Sequence, residues 1–133
     1  MSDYLLDTNI LILYLRKTVG YYELLDSLAK DDTLYISAMT RLEIIRGMRD
    51  KERKITFEIL DSLDNIDISI EIADTAGELI RAWRTKGATL EDADAIIAAT
   101  ALTHNLVLVT TNSKHFPMSE LVVYQAAEFG KLT

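Results

Sequence analysis

The chain has 133 residues, with 14 Lys and Arg against 21 Asp and Glu, a net charge of −7 and no cysteine. That length suits a single domain over residues 1–133 with a real core, and the missing cysteine excludes disulfides, thiolate zinc sites and a Cys nucleophile. The acidic balance argues against electrostatic nucleic-acid binding over the whole surface, although charge can be segregated between a site and its rim, and it also fits a basic protein partner.

No run of about 18 apolar residues offers a membrane span, and no basic segment with a small-residue cleavage site opens the chain. The expectation is a cytoplasmic protein. Tyr4-Leu5-Leu6 is a short apolar run closed by Asp7, Thr8 and Asn9, the pattern of a strand buried on both faces. Thr8 to Lys17 reads as a helix with Asp7 or Thr8 as N-cap. After a break at Gly20, Tyr21 to Lys30 reads as a second helix, Asp31-Asp32 as a turn and Thr33 to Ile36 as a strand. A helix over Arg41 to Arg49 is expected to open with Thr40-Arg41-Leu42-Glu43 as a capping box. Lys51 to Leu63 reads as an amphipathic helix with Ile55, Ile59, Leu60 and Leu63 on its buried stripe. The basic cluster from Arg41 to Lys54 reads as a solvated helix face.

Asn65 to Ile68 is a short strand, and Ser69 caps a helix with Ile72, Ala76, Leu79, Ile80 and Trp83 on one face. Trp83 is therefore expected in the core or at a dimer face. Ala93 to His104 is apolar nearly all round, as in a helix pressed against a sheet, with Asp92 as its expected cap. Leu106 to Thr110 is the strongest strand pattern, and Leu121 to Tyr124 an edge strand. Strands alternating with helices predict an α/β protein: a three-layer αβα sandwich around a mostly parallel sheet of four or five strands.

Three acids stand out. Singly each has a plain explanation: Asp7 as a helix cap, Glu43 in its capping box, Asp94 favoured by the dipole of a helix start. Together they fall at one edge of a parallel sheet, where open α/β sheets bind ligands. Carboxylates about 5 Å apart, at an effective dielectric near 20, repel by on the order of 3 kcal/mol per pair. A cation offsets that cost. Oxygen-only ligands select Mg²⁺ or Mn²⁺, and the two histidines, His104 and His115, lack zinc-ligand spacing. Such a site suits in-line displacement at phosphorus. Neither a Gly-rich phosphate loop nor a Ser-His-Asp arrangement is present.

Four segments carry a resemblance. They are Leu5-Leu6-Asp7-Thr8-Asn9-Ile10, Thr40-Arg41-Leu42-Glu43-Ile44-Ile45-Arg46-Gly47, Asp94-Ala95-Ile96-Ile97-Ala98-Ala99-Thr100-Ala101 and Leu108-Val109-Thr110-Thr111-Asn112. In that order, from Tyr4 to Phe116, the chain resembles the PIN-domain ribonucleases, in particular VapC-type toxins of toxin–antitoxin pairs. The resemblance implies Asp7, Glu43 and Asp94 as catalytic, metal-binding acids, with Thr8 or Asn9 and Thr110 orienting them. Many relatives carry a fourth acid where this chain has Asn112, and Asp92 is a candidate to supply part of that charge as well as a cap. Arg41, Arg46, Lys114 and His115 are weaker candidates for RNA contact, against a reading as solvated side chains.

The implied chemistry is Mg²⁺- or Mn²⁺-dependent cleavage of RNA, leaving 5′-phosphate and 3′-hydroxyl ends. The implied partners are a second copy of the chain and a small antitoxin protein that blocks the acidic pocket. Competing readings fare worse. A haloacid-dehalogenase-type phosphatase needs a second Asp at position 9, which is Asn9, and a receiver domain needs an acid pair that is missing. The alternative within the same fold is a catalytically weak or inactive protein acting by protein or RNA binding.

Overall fold

A strand in a sheet covered on both faces sends successive side chains into two different cores. In the computed structural model, which describes residues 3–126, the first strand β1 (Tyr4–Leu6) does this in three residues: Leu5 enters one core and Leu6 the other. Tyr35 and Ile36 of β2 (Leu34–Ser37) divide in the same way. So do Leu108 and Val109 of β4 (Val107–Thr110). The edges are β3 (Asp64–Ile66) and β5 (Val123–Gln125), giving an all-parallel sheet in the order β3-β2-β1-β4-β5.

On the Leu6 side lie α1 (Thr8–Leu15), α2 (Tyr21–Ala29), α3 (Ala38–Gly47) and α4 (Arg53–Ser62), whose buried Ile10, Leu24, Ile44 and Leu60 share that core. On the Leu5 side lie α5 (Ile70–Thr85) and α6 (Asp92–His104). The alanines of α6 let it sit close to both sheet and α5, and Asn105 ends it in the left-handed conformation (φ 54°) favoured at helix C-termini. The expected three-layer αβα sandwich is what forms.

Chain order fixes where the layers open. From β1 the chain steps outward to β2 and β3; α5 and α6 then carry it back to β4 on the other side of β1. Strand order reverses between β1 and β4. In open α/β sheets a crevice forms beyond the carboxyl ends of the strands at such a reversal.

Several boundaries differ from the sequence expectation. Helix α3 begins at Ala38, not Arg41, because the Ser37 hydroxyl accepts from the Met39 N–H at 3.0 Å and caps it. Thr40 is therefore no cap but an interior residue, fully buried. The helix expected from Lys51 starts with a 3-10 turn (Asp50–Glu52) before α4. That phase turns Thr56 and Leu60 inward and leaves Ile55 53% exposed. Glu91, not Asp92, precedes α6; Asp92 is its first residue. The strand expected over 65–68 runs 64–66, and the one expected over 121–124 runs 123–125, Leu121 being buried just before it. Trp83 packs against the core around α6, as its stripe predicted.

Ile72→Ala should lower unfolding stability by roughly 2–5 kcal/mol, since a fully buried side chain is lost. Ile55→Ser should stay within about 0.5 kcal/mol. Urea denaturation of both variants checks the inward face of α4 and of α5; equal losses would contradict it.

Candidate active site

Asp7 is the residue that turns β1 into α1. It is the N-cap of α1, with Oδ1 accepting from the Thr8 N–H at 2.8 Å. Its other oxygen does something a cap does not require: Oδ2 accepts from the Thr110 hydroxyl at the end of β4, at 2.7 Å. The two strands flanking the order reversal are thus tied together through this carboxylate. Thr110, fully buried, also accepts from the Asn112 N–H at 3.0 Å.

Glu43 comes from the middle of α3, which crosses the same edge. Its Oε1 accepts from the Thr8 hydroxyl at 2.7 Å. The Thr40 and Thr8 hydroxyls lie 3.0 Å apart. A hydroxyl has one proton, and a carboxylate can only accept. Thr8 therefore spends its proton on Glu43, and Thr40 supplies the proton of the threonine pair. Thr40 is a site-supporting residue that the capping-box expectation concealed. The exposed signal was its place one turn before Glu43 on a helix that starts earlier than expected.

Asp94 is the third residue of α6, where the helix dipole favours an anion. Its Oδ2 lies 3.5 Å from Nδ1 of His115, which the 3-10 turn Ser113–His115 brings across from the end of β4. Glu43 and Asp94 open onto a cleft of about 750 Å³, also lined by Arg46, Arg84, Thr89 and His115. Arg46 stands 3.9 Å from Glu43.

Like charges and burial act on the acids together. Burial, above all, raises the Asp7 carboxyl above its ordinary value, and Glu43 adds repulsion; the hydrogen bonds from Thr110 and Thr8 and the nearby His115 pull it back. Asp94 is raised first by burial and then by Asp7, with smaller repulsion from Glu43 and Glu91, against the pull of His115. The three acids therefore sit within electrostatic reach of one another. Among the described residues, however, no three Asp, Glu, His or Cys side chains are drawn together tightly enough to hold a metal ion as they stand. The oxygens of Asp7 and Glu43 are turned onto threonine donors, and Asp94 leans toward His115. The donor chemistry fits a hard divalent cation such as Mg²⁺ or Mn²⁺. The side chains of Glu43 and Asp94 keep 22% and 23% exposure.

The weaker candidates separate clearly. Asn9, second in α1, carries a buried amide oxygen with no protein donor. Asp92 lines the cleft at the start of α6. Asn112 is exposed and engages Thr110 through its backbone. Arg41 is turned away from the acids: it is paired with Asp61 at 2.8 Å, bonded to Asn65 at 3.1 Å and stacked over Phe57. A weak candidate for RNA contact in the sequence, it has a structural role instead. Lys114 lies beside the cleft, in a side pocket that shares its His115 wall.

Comparison with known proteins bears on this geometry. Residues 4–118 match the PIN domain family. Ribonuclease VapC10 of Mycobacterium tuberculosis is 38% identical over 116 residues, covering 87% of each chain. A crystal structure of VapBC2 from Rickettsia felis, bound to a DNA fragment from its promoter, contains a chain 32% identical. It superposes with a TM-score of 0.81, covering 91% of this chain and 96% of that one. A toxin–antitoxin complex from Klebsiella pneumoniae is 31% identical with a TM-score of 0.77, covering 93% and 100%.

Asp7 and Asp94 are raised, so their ionisation costs the folded state. That cost is fully present above the raised values and vanishes as pH falls through them toward about 4, the ordinary Asp range. In EDTA, Asp7→Asn should be at least as stable as the parent at pH 7, because an amide oxygen still accepts from Thr8 and the Thr110 hydroxyl can turn to accept from the amide. The gap should narrow on acidification. Urea denaturation at stepped pH measures it, and a clear loss of stability in the variant at pH 7 would mark Asp7 as structural only.

Proposed function

This chain belongs to the PIN-domain family, and we propose that it works as a metal-dependent endoribonuclease and as the toxin of a toxin–antitoxin pair. The observation that carries the proposal is that Asp7, Glu43 and Asp94 come within electrostatic reach of one another, Glu43 and Asp94 on a cleft that also presents Arg46 and Arg84. Relatives named ribonucleases across most of their length support the reaction class. Asp7, Glu43 and Asp94 are the residues that would hold the cation, Mg²⁺ or Mn²⁺. When bound, such an ion supplies positive charge for an in-line displacement at phosphorus and eases deprotonation of the attacking water.

The chain's own side chains supply the rest. Thr110 and the Thr8 N–H fix both oxygens of Asp7, and the Thr8 hydroxyl fixes one oxygen of Glu43, so two of the three acids are oriented before substrate arrives. Arg46 and Arg84 face the cleft and receive phosphate oxygens of the RNA strand. His115 holds Asp94 on the cleft side. Cleavage leaves 5′-phosphate and 3′-hydroxyl ends.

A small antitoxin protein is the proposed partner, supported by relatives solved as toxin–antitoxin complexes. The net charge of −7 suits a basic partner segment. A mixed groove of about 400 Å³ with Tyr14, Tyr22, Leu25 and Leu63 on its walls offers apolar surface away from the acids. A homodimer and a cytoplasmic setting complete the proposal. No helix among the described residues is long and apolar enough to cross a membrane. The second reading, a PIN-fold binder without activity, draws on the open arrangement of the acids and on the neutral, outward Asn112.

A single-stranded RNA should be cut in Mn²⁺ and left intact in EDTA. Asp94→Asn should reduce cleavage to background, and Thr110→Val should reduce it roughly 10- to 100-fold while leaving the protein folded. Gel analysis of end-labelled RNA reads all three. EDTA-resistant cleavage, or full activity in Asp94→Asn, would remove the nuclease reading.

A further inference from the structure

Beside the acid cleft lies a second pocket of about 440 Å³. The two meet along the segment 88–91, and both are bounded by Asp94 and His115. A ligand spanning them therefore passes directly over the acids. The side pocket differs from the cleft in its chemistry. Its walls include Trp83, Leu90 and Pro117, with Thr89 at its mouth and Lys114 as its cation. The cleft presents Arg46 and Arg84 instead. The Lys86 ammonium sits 4.3 Å over the Trp83 ring and the indole packs on the core, so the wall is held in place from behind.

We propose that this side pocket receives the unpaired base of the nucleotide adjoining the scissile phosphate, and thereby sets which RNA sequences are cut. The proposal rests on the nuclease reading above. A pocket of this size, inside the roughly 300–1,000 Å³ range of small-ligand sites, with Trp83, Leu90 and Pro117 beside polar groups that include Glu91, suits a nucleobase, which offers both a flat face and hydrogen-bonding edges, rather than a phosphate. Phosphates belong to the arginines of the cleft, one step along the strand. A base in a duplex is stacked and paired on both sides, so only a base turned out of a single strand enters such a pocket. In a chain of net charge −7, Arg46, Arg84 and Lys114 give this edge positive charge beside the exposed Glu91 and Asp92.

Trp83 is the sole tryptophan, so its fluorescence reports on this pocket alone. The full chain in EDTA is titrated with each of the four ribonucleoside 5′-monophosphates and, as control, with ribose 5-phosphate. At least one nucleotide should give a saturable change that ribose 5-phosphate does not. Thr89→Phe, at an exposed position on the pocket mouth, should weaken that response roughly tenfold or more, with an unchanged thermal melt; Thr89→Leu repeats the test should the larger side chain disturb folding. No response to any nucleotide, an equal response to ribose 5-phosphate, or full retention in both variants would overturn the pocket. RNA cleavage in Mn²⁺ by the same preparations separates the two readings. Cleavage with a flat titration removes the pocket and leaves the nuclease. A saturable titration without cleavage leaves a base pocket and removes the nuclease.

Discussion

The structure depends on the repulsion among Asp7, Glu43 and Asp94 being contained without being relieved. Each acid comes from a different element, β1–α1, α3 and α6, and burial alone already disfavours the charge of Asp7 and of Asp94. The counterweights are threonine hydroxyls from still other positions: Thr110 on β4 for Asp7, Thr8 on α1 for Glu43, Thr40 behind Thr8. A neutral hydroxyl orients a carboxylate while leaving its charge intact. A lysine in the same place would quench the charge and end the site's use for a cation. The order reversal between β1 and β4 makes this possible, because it brings a strand end 103 residues away within hydrogen-bond reach of Asp7.

The same containment reconciles an acidic protein with a polyanionic substrate. Acids near the sheet edge are drawn inward, with Asp7 only 7% exposed, while Arg46, Arg84, Lys114 and His115 reach the openings. The rim itself carries both signs of charge, since exposed Glu91 and Asp92 line it beside Arg46 and Arg84. Of the sequence cluster from Arg41 to Lys54, Arg46 lines the cleft, whereas Arg41 is paired with Asp61, Arg49 with Glu52, and Arg53 stacks over Phe57.

Much of this was legible in the sequence because burial writes periodicity. The two-faced strands, the stripe of α5 and the all-apolar α6 follow directly from the spacing of Leu, Ile and Ala, and with them the strand end that carries Asp7 and the helix start that carries Asp94. What escaped was set by local hydrogen bonds with close competitors. Ser37 and Thr40 both look like caps three residues apart, and only tertiary burial of Thr40 against Thr8 decides between them. Ile55 and Thr56 likewise compete for the inward face of α4, and the 3-10 turn before it selects Thr56. The side pocket was illegible for another reason: its walls come from α5, the segment before α6 and the loop after β4, none of which shares a motif.

The loop after β4 bears on how many cations the site can use. A second divalent ion needs further anionic oxygens. Asn112 offers a neutral amide, is exposed, and touches the site through its backbone N–H. Three residues on, the loop delivers an imidazole beside Asp94 in place of a carboxylate. A proton on that ring would repel a second cation, and a neutral ring adds no charge to attract one. Asp92, at the first position of α6, lies two residues from Asp94 and so projects from a different side of the helix. On these residues, one divalent ion would fit the acids better than two.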